Sequence, residues 1–361
     1  MVDIFSGFYK GKRVLITGHT GFKGSWLSIW LHELGAEVIG IGLEPFTERD
    51  NYVLSGIGRK IKADIRADIR DGQKMKEIFN EYQPEIVFHL AAQPLVRLSY
   101  EKPVETYETN VMGTINIMEA IRYTESVKVA VMITTDKCYE NKEQIWGYRE
   151  NEPMGGYDPY SSSKGAAEIA ISSWRRSFFN PADYDKKHHV SIASVRAGNV
   201  IGGGDWALDR IIPDCIKALE TGRPIEIRSP KAIRPWQHVL EPLSGYMLLA
   251  QKMWNEPTKY CEGWNFGPRA ESIIPVWEVA EKVVENYGSG ELKDISDPNE
   301  LHEAKLLMLD ISKAKYRLGW EPRMNISLCV QLTVDWYKRY RNEDVYGICF
   351  LQIEKYITNS H

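Results

Sequence analysis

Short apolar runs alternate with segments of helical character along the first half of the chain. The runs have the length of buried strands and lie at 13–17, 37–43, 85–91, 127–134 and 189–200. Helices are predicted after residue 24 and near 71–82, 101–124 and 160–178. Strands that alternate with helices predict an α/β fold, in which right-handed crossovers cover both faces of a parallel sheet.

Beyond residue 200 this alternation loosens, and proline, tryptophan and glycine residues interrupt the pattern. We expect a smaller mixed α/β lobe there, interleaved with the first part. The predicted division is therefore a doubly wound domain over 1–200 and a second lobe over 201–361.

The composition narrows the class of protein. The chain has 361 residues, of which 43% are hydrophobic and 26% charged, and this profile excludes a wholly disordered chain. The net charge is only −4 and no long run has one sign, so neither nucleic acid nor an anionic membrane is expected as a partner. No apolar stretch reaches spanning length and the N-terminus has no apolar signal core, which favours a cytoplasmic location.

The cysteines give no sign of a metal site. Five cysteines are scattered along the chain without a C-x-x-C pair. We expect free thiols and no structural zinc.

A glycine-rich turn follows the first predicted strand. The stretch T-G-H-T-G-F-K-G at 17–24 places glycines three residues apart between a strand and a helix, where backbone amides and the helix dipole favour a pyrophosphate. His19 and Lys23 are candidates to add donors or charge. The turn predicts a dinucleotide site formed by Gly18, His19, Gly21, Phe22, Lys23 and Gly24.

Two further clusters suggest catalysis. Tyr160 and Lys164 are four residues apart and so share one helix face, where the ammonium would lower the tyrosine pKa and make it a base near neutral pH. The apolar run at 127–134 ends in Thr135, Asp136 and Lys137. At the mouth of an α/β sheet these side chains would meet a ligand, whereas on a plain surface they would form a solvated turn.

Together these motifs resemble the extended short-chain dehydrogenase/reductase superfamily, in which G-x-x-G-x-x-G opens a Rossmann domain. The resemblance extends to A-D-I-R-D at 67–71, H-L-A-A-Q at 89–93 and N-V-M-G-T at 110–114. It implies a Rossmann-type doubly wound sheet with a substrate-binding lobe, and it adds Asp68, Ile69, Leu90, Ala91, Ala92 and Asn110 to the cofactor site, besides Tyr160 and Lys164.

The choice between the cofactors NAD and NADP depends on the end of the second strand. NAD-specific relatives often carry an acid there that binds the ribose hydroxyls. Counting from Gly24 places Gly42 at that position, with Glu44 two residues later. We expect NAD, and the sequence does not exclude NADP.

Within the superfamily the chain resembles the nucleotide-sugar 4,6-dehydratases. The resemblance implies that Thr135, Tyr160 and Lys164 serve oxidation at C4 of the sugar. Asp136 and Lys137 are not needed for that step and suit the elimination of water across C5 and C6. Asp136 would protonate the departing C6 hydroxyl, while Lys137 would either take the C5 proton or act as an electrostatic clamp on the enolate.

The triplet T-D-K resembles the branch of this family that acts on CDP-glucose. Matching stretches include R-A-G-N-V-I-G-G-G-D-W at 196–206, D-R-I-I-P-D at 209–214 and R-P-W-Q-H-V-L-E at 234–241. CDP-glucose is therefore the expected substrate, in deoxysugar synthesis for lipopolysaccharide O-antigen. The candidates for binding it are Arg97, Arg196, Asn199, Arg210, Arg234 and Asn265, with Trp206 and Trp236 shaping the pocket.

Alternatives remain open. Another nucleotide-sugar dehydratase or a 4-epimerase would share Tyr160, Lys164 and the cofactor, although an epimerase does not need Asp136 and Lys137. A non-enzymatic NAD(P) sensor on the same fold has no use for Thr135, Tyr160 and Lys164. The resemblance also implies a homodimer built through the helices near 101–124 and 160–178.

Overall fold

Parallel strands dominate the structure, a computed structural model that describes residues 3–297 and 306–358. In chain order the strands are β1 (Arg13–Thr17), β2 (Glu37–Gly42), β3 (Ala63–Arg66), β4 (Ile86–His89), β5 (Val129–Ile133), β6 (Ser191–Ala197), β7 (Val200–Ile201), β8 (Ile225–Ile227), β9 (Ile233–Pro235), β10 (Gln237–His238), β11 (Gly263–Phe266), β12 (Ile273–Pro275) and β13 (Leu292–Asp294).

Helices connect and cover these strands. They are α1 (Phe22–Glu33), α2 (Asn51–Ser55), α3 (Gly72–Tyr82), α4 (Val96–Glu101), α5 (Pro103–Tyr107), α6 (Gly113–Arg122), α7 (Pro159–Ser177), α8 (Ile211–Glu220), α9 (Leu240–Asn255), α10 (Val276–Tyr287), α11 (Ile326–Arg339) and α12 (Val345–Thr358). None of the helices in the described residues is both long and apolar enough to span a membrane.

Seven strands form one sheet in the order β3-β2-β1-β4-β5-β6-β11, and every pairing in it is parallel. The predicted doubly wound parallel sheet is therefore confirmed. The strand order reverses between β1 and β4, and in such sheets the carboxyl ends of the strands at the reversal form a binding crevice.

Both faces of the sheet are buried. Successive residues of a strand point to opposite faces, so each strand contributes to two apolar clusters. In β1, Val14 and Ile16 pack in one apolar cluster, which includes Trp26 and Trp30 of α1, while Leu15 packs in a second cluster on the other face. The indole rings of α1 bury a large apolar area beneath the strands. This packing fixes α1, and with it the glycine turn at its start.

The region predicted to be helical near 101–124 is a helix over 103–122 that contains a π-helical turn. The α4 helix ends at Glu101, and Pro103 starts α5, because proline fits the first turn of a helix but not its interior. A π-helical turn, Glu108–Met112, then leads into α6. The predicted helix is therefore confirmed, because Tyr107, Met112 and Gly113 keep right-handed helical backbone angles at the junctions with the π-helical turn. However, the pattern missed β3, a four-residue strand whose inner and outer residues alternate.

The chain beyond residue 200 contributes to both parts of the molecule. The pairs β8–β13, β9–β12 and β7–β10, together with α8 and α10, form a smaller mixed lobe. However, β11 adds the edge strand of the large sheet beside β6, and α12 packs against α1 and α2. The boundary placed at residue 200 stays a prediction.

Candidate active site

A cavity of about 1170 Å³ opens at the carboxyl ends of the strands, where the order of the large sheet reverses. Its walls come from the glycine turn, the ends of β2, β4, β5 and β6, the start of α7 and the smaller lobe. The space is large enough for more than one drug-sized ligand.

The glycine turn fits a dinucleotide. Gly18 has φ +76°, a conformation that favours glycine, and a Cβ there would lie 2.8 Å from the Ala91 nitrogen. A Cβ on Gly24 would lie 2.1 Å from the Gly18 oxygen. The turn therefore packs tightly on the loop after β4, and the cavity meets the amino end of α1, where a pyrophosphate is favoured.

Most predicted cofactor residues line this part of the cavity. They are Gly18, Gly21, Phe22, Lys23, Gly24, Asp68, Ile69, Leu90, Ala91 and Ala92. Burial, with the cations Arg210 and Lys164 nearby, lowers the pKa of the Lys23 ammonium to about 8. Lys23 thus belongs to the same electrostatic cluster as the catalytic candidates.

Two predicted cofactor residues do not line the cavity. His19 is fully buried, and its Nε2 lies 2.7 Å from Asp64 Oδ1 under the sheet edge. Asn110 accepts from the Gln93 amide at 2.8 Å and donates to Ser163 Oγ at 2.9 Å. Asn110 therefore holds the loop after β4 against α7. Both His19 and Asn110 lie outside the cavity and support the residues that line it.

Thr135, Asp136 and Lys137 lie together at the end of β5, as predicted from the sequence, and all three line the cavity. Thr135 caps a short 3₁₀ turn and donates from Oγ1 to Asp136 Oδ1 at 3.0 Å. Because the chain turns there, consecutive side chains reach one space. Lys137 is half-buried beside them.

Asp136 is buried, and its Oδ2 has no hydrogen-bond partner in the described residues. A Cβ on Gly198 would lie 2.8 Å from that oxygen, so glycine at this position leaves it room. Burial raises the pKa of the Asp136 carboxyl, although Lys137, Thr135, Arg234 and Lys23 oppose the change. A raised pKa favours the protonated form that a general acid requires.

The α7 helix brings Tyr160 and Lys164 to the same cavity. Asp158 caps this helix by accepting from the Ser161 amide at 2.9 Å, and Pro159 occupies its first turn. The Tyr160 amide donates to Ser99 Oγ at 3.1 Å, which ties the helix start to α4. Both reactive side chains are buried.

The expected lowering of the tyrosine pKa is not observed. Burial raises the pKa of Tyr160 to about 12, against a hydrogen bond from Thr135 and the charge of Arg210. The pKa of Lys164 is itself lowered to about 8, because burial outweighs the nearby acid Glu168. Desolvation of both groups thus offsets the effect that their spacing alone predicts.

Beneath the catalytic candidates lies a buried ion pair that we call the Arg196–Glu168 brace. Arg196 Nη2 lies 2.8 Å and Nε 3.0 Å from the two carboxylate oxygens of Glu168, which also accepts from Thr134 and Ser194. Glu168 follows Lys164 by one helical turn. The brace joins α7 to β5 and β6.

Arg196 and Asn265 were predicted to bind substrate, but neither lines the cavity. They are partners in the pairing of β6 with β11, and Tyr139 lies between them: Arg196 Nη1 donates to its hydroxyl at 2.6 Å, and that hydroxyl donates to Asn265 at 2.8 Å. Buried polar groups need such partners. Both side chains are therefore held by buried partners at the β6–β11 edge, and their role in substrate binding stays a prediction.

The other predicted substrate residues, Arg97, Asn199, Arg210 and Arg234, do line the cavity. Arg210 Nη1 donates to Asp205 at 2.7 Å, and Arg97 lies 3.8 Å from Asp209. Arg234 is buried close to Asp136. Trp206 and Trp236 form part of the wall.

The sequence pattern missed the acids that accompany these cations. Asp209 lies between Arg97 and Arg228, with 2.7 Å to the latter, and Glu168 supports the catalytic helix. Glu168 could have been found, since it lies four residues after Lys164 on the same helix face. No local pattern pairs Asp209 with its two arginines. Among the described residues no group of three or more metal-ligating side chains was found.

Comparison with known proteins agrees with this geometry. The family model described as GDP-mannose 4,6 dehydratase matches residues 15–333. The CDP-glucose 4,6-dehydratase of Salmonella typhimurium is 51% identical over 359 residues, which cover 99% of each chain.

Solved structures share the fold at lower sequence identity. The dTDP-glucose 4,6-dehydratase of Bacillus anthracis in complex with NAD superposes with a TM-score of 0.75 at 20% identity, covering 94% of this chain and 100% of that one. The UDP-glucose 4-epimerase of Thermotoga maritima with UDP-glucose gives a TM-score of 0.77 at 23% identity, covering 92% and 100%. By family match and by relatedness along its whole length, the chain belongs to the GDP-mannose 4,6 dehydratase family of nucleotide-sugar dehydratases, within the extended short-chain dehydrogenase/reductase superfamily.

Proposed function

We propose that the protein is an NAD-dependent CDP-glucose 4,6-dehydratase, a hydro-lyase that forms CDP-4-keto-6-deoxy-D-glucose. The observation that carries the proposal is the buried Asp136, whose unpartnered oxygen lies in the cavity with Lys137 and Tyr160. Oxidation or epimerisation at C4 requires no such acid, whereas loss of the C6 hydroxyl does. The 51% identity to a CDP-glucose 4,6-dehydratase supports the choice of substrate.

The side chains around α7 carry out the oxidation at C4. Tyr160 takes the proton of the C4 hydroxyl, while Thr135 holds that hydroxyl by a hydrogen bond. The positive charge of Arg210 and the hydrogen bond from Thr135 favour the ionised tyrosine, and so oppose the burial that raises its pKa. The glycine turn would hold NAD, whose nicotinamide would supply the group that accepts hydride from C4 and gives it back at C6.

The side chains at the end of β5 carry out the elimination of water. The C4 ketone makes the C5 hydrogen acidic, and Lys137 takes that proton or stabilises the enolate. Asp136 gives its proton to the C6 hydroxyl, which leaves as water, and C5 takes back one proton when hydride is added at C6, so that the net change is loss of one water. The burial of Asp136 keeps it protonated to a higher pH than an exposed aspartate, which suits this donation.

The diphosphate of the substrate needs local cations, because the chain as a whole has a charge of −4. Arg210 and Arg234 lie on the cavity wall near the catalytic side chains. Arg97 and Asn199 complete the proposed phosphate site. These four residues hold a group that does not change during the reaction.

The test is a product assay with purified protein, NAD and a panel of CDP-glucose, UDP-glucose, dTDP-glucose and GDP-mannose. Mass spectrometry should detect loss of one water from CDP-glucose and less turnover of the other nucleotide sugars. A product of unchanged mass would indicate a 4-epimerase. Binding of NAD without turnover of any sugar would indicate a sensor and overturn the proposal.

We further propose a homodimer formed through α5, α6 and α7. This region carries apolar side chains that a monomer leaves exposed, including Val104, Met112 and Ile169 at 70%, 50% and 60%. Analytical ultracentrifugation should find a dimer. Ile169→Glu should shift it towards monomer if the proposal is correct.

Finally, we propose that the protein works in the cytoplasm and supplies deoxysugars for lipopolysaccharide. All five cysteines are buried free thiols, which suits a reducing compartment. A 4-keto sugar nucleotide needs a further enzyme to reduce or aminate its ketone. Loss of O-antigen in a deletion strain, restored by the gene in trans, would test this role.

A further inference from the structure

The end of β2 is crowded at the position of the acid that commonly binds the adenosine ribose of NAD. That position is Gly42, where a Cβ would lie 2.8 Å from Thr20 Oγ1 and 3.1 Å from His19 Nδ1. At Gly40 a Cβ would lie 2.3 Å from the His19 ring. Thr20 and the buried His19 thus crowd the space that a side chain at the tip of β2 would fill.

An arginine lies beside this gap. Arg66, at the end of β3, is the residue paired with Gly42 in the sheet register. Its three nitrogens all have partners: Nη1 lies 2.5 Å from Asp64 Oδ1, Nη2 lies 2.9 Å from the Tyr52 hydroxyl, and Nε lies 3.2 Å from Glu44 Oε2. In dinucleotide folds an arginine near this point accommodates the 2′-phosphate of NADP.

The local charge disfavours that phosphate. Asp64 and Glu44 contribute two negative charges against one positive charge on Arg66. Burial lowers the pKa of His19, so its ring is neutral at pH 7, and Tyr52 is neutral because its pKa is raised. The group therefore carries about one net negative charge, and a 2′-phosphate would bring up to about two more.

Glu44 is the acid of this group that is available to a ribose. It lines the cavity, and its side chain is 79% exposed. Asp64 is held by His19, Tyr52 and Arg66. The carboxylate of the nearby Asp50 already accepts hydrogen bonds from the Phe46 and Thr47 amides and the Thr47 hydroxyl.

We propose that Glu44, oriented by Arg66, binds the adenosine ribose and makes this chain select NAD over NADP, and that Arg66 becomes a 2′-phosphate site once Glu44 is removed. Glu44 thus replaces the acid that Gly42 cannot supply. This inference rests on the proposed function, because it assumes a dinucleotide at the glycine turn.

The test is direct binding of NAD and of NADP to the purified chain by isothermal titration calorimetry, without any sugar. The wild type should bind NAD more tightly than NADP. Glu44→Ala should weaken NAD binding about tenfold, the size of one charge-assisted hydrogen bond, and strengthen NADP binding about tenfold. Glu44→Gln should act in the same direction with less effect. Glu48→Ala, an exposed acid in the same loop, is the matched control and should leave both affinities unchanged.

The double variant Glu44→Ala/Arg66→Leu should lose the gained affinity for NADP, which would assign that gain to the guanidinium. If the wild type binds NAD and Glu44→Ala leaves the NADP affinity unchanged, the inference is overturned while the proposed function stands. If Glu48→Ala raises the NADP affinity equally, the gain comes from the loss of any negative charge in this loop. That result would also overturn the assignment to Glu44. A wild type that binds neither dinucleotide would refute the proposed function and this inference together.

Discussion

Removal of Arg196 should destabilise the protein without changing its affinity for substrate. Both members of the Arg196–Glu168 brace are almost fully buried, with side chains 6% and 3% exposed. Arg196→Met keeps most of the side-chain length but removes the charge. Within the described part of the chain, Glu168 then remains buried with the Thr134 and Ser194 hydroxyls as its donors.

The size of the stability loss depends on whether Glu168 stays ionised or becomes protonated. Breaking a buried ion pair on one side costs about 3–5 kcal/mol. Glu168 can avoid a buried unpaired charge by taking up a proton. For a carboxyl group with the usual pKa of 4.5, protonation costs about 3.4 kcal/mol at pH 7. We therefore expect a loss of about 3–4 kcal/mol in the free energy of unfolding. For a chain of 361 residues that is a fall in Tm of about 4–6 °C if unfolding is one cooperative step.

The pH dependence gives a signature of the mechanism. In the wild type Arg196 lowers the pKa of Glu168, so this group's contribution to stability is present above its unfolded pKa and is lost as the pH falls through the folded value. In Arg196→Met the folded pKa is raised instead, so stability is lost as the pH rises above the unfolded value. The difference in Tm between the two proteins should therefore shrink from pH 7 to pH 5.

Differential scanning calorimetry at both pH values, with KM for CDP-glucose measured at pH 7, tests this reasoning. The control is Arg196→Met/Glu168→Gln, which should recover part of the lost stability because no charge stays buried alone. A raised KM with an unchanged Tm would refute it. That result would mean that Arg196 binds the substrate, as its sequence motif predicts.

The reaction side chains give three further predictions. Tyr160→Phe should abolish turnover while NAD binding by calorimetry and Tm stay near wild type, because it removes one hydroxyl and no packing volume; wild-type product formation would contradict the role of the tyrosine. Asp136→Asn and Lys137→Ala should both reduce NAD and then stall, with turnover lower by about 10²–10⁴-fold and NADH accumulating. In deuterated water Asp136→Asn should exchange the C5 hydrogen and Lys137→Ala should not, so exchange in Lys137→Ala would favour the enolate clamp over the base. Arg234→Ala should mainly raise KM, since its proposed phosphate partner is unchanged during the reaction; a fall in kcat alone would exclude that role.

Local patterns predicted the parts of the site that lie close together in sequence. The glycine turn, the residues at the end of β5 and the pair Tyr160 and Lys164 each follow from spacing within a few residues. The buried contacts of Arg196 and Asn265 could not be predicted in this way, because their partners Glu168 and Tyr139 lie 28 and 126 residues away. A motif identifies such residues as significant but does not tell whether they face the cavity or the underlying core.

The tyrosine pKa illustrates a second limit. Spacing predicts that Lys164 and Tyr160 share one helix face, but not how deeply both are buried. Here desolvation is the largest cause acting on the pKa of each group. Similarly, the sequence placed His19 in the phosphate-binding turn, while the side chain points instead to Asp64. Contacts that depend on the packing of distant strands require the structure.

The path of the chain around β11 decides how hybrid enzymes of this family could be assembled. One crossover near residue 200 would exchange the edge strand β11 and α12 together with the lobe, and so would mismatch buried partners such as Arg196 and Asn265. Two crossovers, after Ala197 and before Leu240, would transplant 198–239 with Arg210 and Arg234 and leave the host sheet complete. The transplanted β8 and β9 would meet host strands β13 and β12 through backbone ladders, which depend less on side-chain identity. The second scheme is the one expected to give folded chimeras.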